Sequence, residues 1–347
     1  MSRSKRPQST SVLKRLRQFI MLLMAIAFAA AGYAWYWLHQ PVNDITAQVY
    51  DVARGSTVSS IGHDLQRRGS MQYPQVWKWW AHFTGKSGAI KAGEYQLHPG
   101  MSPDDLLILF TSGKVILHSV KFIEGSTFAE MRNTLQMQDV VEHTLQNAPD
   151  AEVMRRLHMP DVNPEGQFFP DTYQFAKGTS DLEIYAMAQR RMQHELQQAW
   201  DSRDANLSVH SPYEALILAS IIEKESSLTS ERPIISGVFQ DRLDRGMRLQ
   251  TDPTVIYGLG NAYDGNIHKA DLQRDTPYNT YTRSGLPPTP ICLPGATALH
   301  AATHPERTGA LYFVATGEGG AHHFSKTYEE HNQALEHLLR LQHVHHD

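Results

Sequence analysis

Twenty consecutive residues, Phe19 to Leu38, carry no charge, and this stretch constrains the fold more than any other feature of the chain. As a helix rising about 1.5 Å per residue it reaches roughly 30 Å, the thickness of a bilayer's hydrocarbon core. Arg3, Lys5, Arg6, Lys14, Arg15 and Arg17 precede it, and no lysine or arginine follows until Arg54. That asymmetry places the N-terminus in the cytoplasm. Tyr33, Trp35, Tyr36 and Trp37 gather at the far end, where amphipathic rings settle at the lipid–water boundary. The alternative is a cleaved signal peptide, with a shorter apolar run and a small-residue cleavage site. Ala29-Ala30-Ala31-Gly32 offers a faint one, but bulky aromatics follow it directly. The reading adopted is an uncleaved anchor: residues 1–18 a basic cytoplasmic tail, residues 19–38 a transmembrane helix, and everything beyond it outside the cytoplasm.

The 347 residues leave room for two further domains. A net charge of −4 supplies no basic field for nucleic acid. Cys292 is the single cysteine, so no internal disulfide is available; in Pro290-Ile291-Cys292-Leu293-Pro294 it reads as a buried neutral thiol rather than a nucleophile. Phosphate-loop, dinucleotide, His-Glu-x-x-His and Gly-x-Ser-x-Gly motifs are absent. The 19 histidines are scattered, and His343, His345 and His346 read as a solvated tail, so no metal site is expected.

One short pattern occurs three times: Gly55-Ser56-Thr57, Gly100-Met101-Ser102 and Gly125-Ser126-Thr127. A turn at glycine is followed by a hydroxyl suited to accept from the free N–H groups of a helix's first turn. Pro103 follows Ser102 at the first helical position, and Glu130 completes a capping box with Thr127. Strand-like runs lie at 93–97 and 115–120. These units predict a small α+β module over 45–119, serving as a spacer or as a carbohydrate-binding module. Trp77, Trp79 and Trp80 could stack on sugars, although tryptophans at i and i+3 are more often core packing.

A larger α+β domain is expected over 120–340. Within it, Ser211-Pro212-Tyr213-Glu214 announces a helix whose next eight residues, 215–222, are almost all apolar, as in a helix buried on every side. Glu223-Lys224-Glu225 follows. Leu218, Ile221 and Ile222 stand seven, four and three positions before Glu225, so that carboxylate continues an aliphatic stripe. Poor solvation there raises its pKa, as a general acid at neutral pH requires. The alternative is a glutamate paired with Lys224 or Arg232 at a solvated helix end. Glycosidases usually pair two carboxylates; Glu165, Asp171 and Asp252 are candidate seconds, all in loops of polar and aromatic residues.

At this point several ordered blocks resemble one family: 219–225, 246–258, Tyr278-Asn279-Thr280-Tyr281, Gly285-Leu286-Pro287-Pro288, Pro294-Gly295, 311–314, and His322 with Phe324 and Glu330-His331-Asn332. They are similar to the endolytic murein transglycosylases, or YceG-like proteins, from the anchor almost to the C-terminus. Thr289 and Cys292 depart from the pattern in a loop where relatives vary. The resemblance implies that Glu225 is the catalytic acid/base and that the first module is LysM-like, a type associated with peptidoglycan binding. It implies a lyase that leaves 1,6-anhydro ends in nascent glycan strands and thereby limits their elongation, with no cofactor. Substrate contacts are expected at Glu165, Asp171, Gln250, Asp252, Tyr278, Asn279, Tyr281 and His322. The partners are then peptidoglycan, the inner membrane and the synthesis machinery beside it, with the catalytic domain periplasmic. A non-catalytic peptidoglycan-binding scaffold and a hydrolytic muramidase are the competing readings.

Overall fold

The computed structural model describes residues 9–43, 45–317 and 319–344. The first eight residues of the expected basic tail, and His345 and His346, lie outside them. The chain opens with α1 (Ser9–Leu38), a helix of 30 residues. The apolar span from Leu13 to Leu38 is not buried against protein, as a soluble protein's core helix would be. Only its end is seated: Leu38 is buried in the core of the first unit, with Trp37 packed against it.

Two compact units follow from the pattern of contacts. One ends at His118 and takes in Ala176–Gly178; the other runs from Ser119 to Phe175 and onward from Thr179. The first contains β1 (Gln48–Val52), α2 (Val58–Arg67), α3 (Pro74–Phe83), β2 (Gly93–Leu97) and α4 (Pro103–Ser112). β1 and β2 pair antiparallel, with Tyr50 opposite Tyr95. Gly93, Tyr95 and Leu97 alternate inward along β2 and meet Leu65, Trp77, Leu106 and Phe110 in the core. The expected caps are present: Thr57 opens α2 and Ser102 opens α4, each in a reciprocal capping box. Trp77 is fully buried and donates to the Pro103 carbonyl at 2.7 Å, while Trp80 donates to Asp104 at 2.5 Å. Those two indoles are structural; Trp79 is exposed.

β3 (Leu117–Lys121) leads into the second unit and pairs with β4 (Thr172–Ala176). Between them lie α5 (Phe128–Gln136), capped by Thr127 as expected, and α6 (Asp150–Arg156). Beyond them come α7 (Asp181–Asp201), α8 (Pro212–Glu225), α9 (Arg232–Asp244), α10 (Asp252–Leu259), α11 (Lys269–Gln273) and α12 (Ala296–Thr303). A hairpin, β5 (Tyr312–Ala315) with β6 (His322–Ser325), and α13 (Tyr328–Val344) complete the chain. All eight residues from Ala215 to Ile222 are buried, and α7, α9, α10 and α12 pack around α8. Its capping differs from the expected box in one bond. Ser211 accepts from the Glu214 N–H, but the Glu214 carboxylate accepts from His210 rather than from Ser211.

Candidate active site

α8 stops at Glu225, where Ser226 turns to extended backbone. The two glutamates of Glu223-Lys224-Glu225 point to different environments, as helical spacing requires of residues two apart. Glu223 is held in a buried ion pair. Arg232 grips it with both terminal nitrogens, at 2.6 and 3.0 Å, and the Gly295 N–H donates to it at 3.0 Å. Each side chain of the pair is only 5% exposed. Arg232 also donates to the Thr297 hydroxyl. A Cβ at position 295 would lie 2.0 Å from a carboxylate oxygen of Glu124, so a larger residue there would displace that side chain. Burial, and then the charge of Glu223, raise the Glu124 pKa. Lys224 takes no part in the pair and donates to the Gly125 carbonyl.

Glu225 has no cationic hydrogen-bond partner among the described residues. It follows Leu218, Ile221 and Ile222, all fully buried, and keeps only part of its own surface open to solvent. Burial pushes its pKa up to about 7, and the negative charge of Asp252 acts in the same direction. Opposing these are a hydrogen bond from the Thr251 hydroxyl and the charges of His322 and Arg242.

The loop that delivers Thr251 is tightly constrained. Gln250 has φ of 49°, a left-handed conformation unusual for a residue with a Cβ. The Gln250 N–H donates to the Thr280 carbonyl at 3.2 Å, and the Thr251 N–H to the Thr280 hydroxyl at 3.0 Å. The Thr254 hydroxyl bonds the Thr280 hydroxyl and the Thr251 carbonyl. From α9, Arg242 donates to the carbonyls of Leu249 and Leu311, at 2.7 and 2.6 Å, and lies over the Tyr312 ring. Tyr281 donates to Asp252 at 2.6 Å. His322 is fixed by two bonds to Glu231, from its backbone N–H at 3.0 Å and through Nδ1 at 2.7 Å.

Of the predicted substrate contacts, Asp252, Tyr281 and His322 therefore gather around Glu225, with Gln250 exposed beside Thr251. Tyr278 belongs to a neighbouring aromatic cluster, its ring 4.9 Å from that of Tyr257 and its hydroxyl 2.9 Å from that of Thr289. The other three predicted contacts have hydrogen-bond partners within the protein. Glu165 is 5% exposed, and its carboxylate is occupied by the Phe128 N–H at the start of α5 and by the Tyr257 hydroxyl. It stabilises a helix N-terminus; burial raises its pKa to about 7. Asn279 is buried, and its amide donates to the carbonyls of Asp271, Leu272 and Arg274, which braces its own loop. Asp171 is exposed, and its carboxylate caps the Thr172 N–H. Thr251, Arg242, Glu231 and Tyr257 were not singled out from sequence. Thr251 had one usable signal, a hydroxyl just before the Asp252-Pro253 helix start, whereas a lone arginine in a charged helix has none. Cys292 is fully buried with its thiol pKa raised by burial, which keeps it a neutral thiol.

Comparison with known proteins adds the family. The profile of the YceG-like family matches residues 50–337. The chain belongs to the YceG-like family. An endolytic murein transglycosylase from Bacillus subtilis is 32% identical over 305 residues, covering 82% of this chain and 83% of that protein. One from Streptococcus pneumoniae D39 is 28% identical over 316 residues; the match covers 81% of this chain and 56% of that longer protein. The crystal structure of a yceG-like protein from Listeria monocytogenes superposes with a TM-score of 0.52 at 29% identity, covering 83% of this chain and 99% of that one. Within this YceG-like fold the residue at the end of the buried helix is Glu225.

Proposed function

We propose that the protein is a membrane-anchored lytic transglycosylase that cuts peptidoglycan glycan strands internally, with Glu225 as the catalytic acid and then base. The observation that carries this is a single carboxyl group pushed up to about 7 at the end of a buried helix, positioned by Thr251 and free of a paired cation. Such a group is substantially protonated at neutral pH and can give its proton to the glycosidic oxygen between N-acetylmuramic acid and N-acetylglucosamine. The resulting carboxylate takes the proton from the muramic acid C6 hydroxyl. That oxygen closes on the anomeric carbon as the glycosidic bond breaks, leaving a 1,6-anhydro end and a free 4-hydroxyl. The nucleophile belongs to the substrate, so attack is intramolecular and no activated water is needed. Asp252, Tyr281 and His322 line the approach to Glu225 and contact the sugars.

The names of the relatives support the substrate class. The β1–α2–α3–β2 order with its antiparallel pair supports a LysM-like module that binds the same polymer. The exposed apolar surface of α1 and the basic residues before it support an anchor in the inner membrane with the catalytic unit in the periplasm. A tethered enzyme meets new strands first, which places its cut within the length control of nascent glycan, beside the synthesis machinery. A hydrolytic muramidase is the second reading, favoured by Asp252, an acid at the start of α10 that acts electrostatically on Glu225, as the base for water. Mass spectrometry of products from uncrosslinked glycan decides between them. Ends about one water lighter than hydrolysis products establish the lyase; reducing muramic acid ends would establish the hydrolase.

A further inference from the structure

α3 carries two apolar faces. One is core: Pro74, Trp77 and Ala81 are buried. The other is open: Trp79 is 75% and Phe83 83% exposed, and Trp80 and Phe83 stack at 5.9 Å. In a ten-residue helix of a water-soluble module, such a face has no evident reason to stay uncovered. Its surroundings supply one. It borders a groove of roughly 640 Å³ whose other wall is α1, at Ala30, Ala31 and Ala34. The start of α3 is tied to the same helix, since the Tyr73 ring meets Tyr33 at 6.4 Å and Trp37 at 5.3 Å.

The depth of that wall matters. With Arg17 in the inner headgroups, the roughly 30 Å hydrocarbon core extends to the neighbourhood of Leu38. Ala30 then lies about 12 Å below Leu38, among acyl chains of the outer leaflet. Side chains of α3 that share a groove with Ala30 and Ala31 lie at the depth of the interface and below it. Lys78, exposed on α3, has the charge and reach for lipid phosphates, and the exposed His82 ring can hydrogen-bond to them.

We propose that the partner of this face is the bilayer itself. α3 is an interfacial helix, with Trp79 and Phe83 among the outer-leaflet acyl chains and Lys78 and His82 toward the headgroups. The proposal rests on the reading of α1 as an uncleaved anchor, and it adds a second point of membrane attachment. Two attachments hold the first unit in one orientation on the membrane, where a single helix would leave it free to swivel.

The test uses the full chain in vesicles of phosphatidylethanolamine and phosphatidylglycerol. An environment-sensitive fluorophore is placed on one introduced cysteine at a time, as Phe83→Cys, Met24→Cys or Arg67→Cys. The native Cys292 is fully buried and does not compete for label. The expected result is loss of emission at positions 83 and 24 to nitroxides carried on lipid acyl chains, with protection from aqueous iodide, and the reverse at position 67. Iodide quenching at position 83 with lipid quenching retained at position 24 would overturn the docking of α3 and leave the anchor intact. Iodide quenching at position 24 would overturn the anchor, and the docking with it.

Discussion

Two glutamates two positions apart have opposite physical roles, and substitution separates them. Glu225→Gln removes the proton that the reaction needs while keeping shape and hydrogen bonding. Glycan cleavage should fall to background with the melting temperature at neutral pH unchanged or higher. Glu223→Gln leaves Arg232 buried with a neutral partner, and breaking a buried pair costs about 3–5 kcal/mol. It should lower the melting temperature by many degrees; a fully stable Glu223→Gln protein would refute the structural role. Thr251→Val deletes a bond that stabilises the Glu225 carboxylate, so the carboxyl pKa rises further. A general acid is lost as pH climbs through its pKa, so the alkaline limb of the kcat/KM profile should move to higher pH. An unmoved limb would show that another group titrates there. Glu165 makes a prediction about stability rather than rate. Its folded pKa, about 7, is raised above the ordinary 4.5, so its contribution is full below about pH 4.5 and is lost as pH rises through about 7. By linkage the loss amounts to roughly 3 kcal/mol at the alkaline end. Glu165→Gln should flatten denaturant stability between about pH 5 and pH 8, and a wild-type slope in the variant would exclude this carboxyl as its source. Glu225 was legible in the sequence because its aliphatic stripe lies within one helix. The duties of Glu165 and Asn279 were not, because their partners at Phe128 and at Asp271 to Arg274 are set by tertiary folding.

Helix starts were readable at Thr57, Ser102, Thr127 and Ser211 for a local reason: a hydroxyl, its acceptor geometry and the residue three positions on are contiguous in the chain. Ser102→Ala should therefore cost about 1 kcal/mol in chemical denaturation, with the fold retained. The buried character of α8 was equally legible, since eight apolar residues in a row leave no polar face. Close packing between elements left no such trace. Gly237, in the middle of α9, looks like a weak helix residue, yet a Cβ there would lie 2.1 Å from the Glu306 carbonyl oxygen. Gly237→Ala, which raises helix propensity by about 1 kcal/mol in isolation, should here destabilise by more than that. A gain in melting temperature would show that the loop at Glu306 yields freely. The loop from Arg248 to Asp252 belongs to the same class. Its sequence reads as a polar turn, but its left-handed Gln250 and its grip by Arg242 and Thr280 emerge only when α9, α10 and the 278–281 segment are brought together.

At the scale of the whole chain, each buried cluster lies within one unit: Trp77, Tyr95 and Phe110 in the first, and two in the second, the α8 aliphatics with Phe239 and Leu299, and Phe122, Phe128 and Phe168 with Tyr185. Domains with separate cores commonly unfold as separate cooperative units, and a substitution within one core is felt mainly there. Trp77→Ala removes a fully buried indole and the hydrogen bond to Pro103, a loss of about 3–5 kcal/mol. Leu218→Ala removes a fully buried side chain from the helix that ends in Glu225, a loss of about 2–5 kcal/mol. Scanning calorimetry of the detergent-solubilised full chain should show two transitions, one lowered by Trp77→Ala and the other by Leu218→Ala. Cleavage of soluble glycan fragments should follow the transition that Leu218→Ala moves, because Glu225, Thr251, Asp252, Tyr281 and His322 all lie in the second unit. Trp77→Ala protein, assayed below its own lowered transition, should cut such fragments at close to the wild-type rate while losing whatever the first unit adds on long strands. A single transition displaced equally by both substitutions, with activity lost in parallel, would mean that the catalytic unit does not stand on its own core.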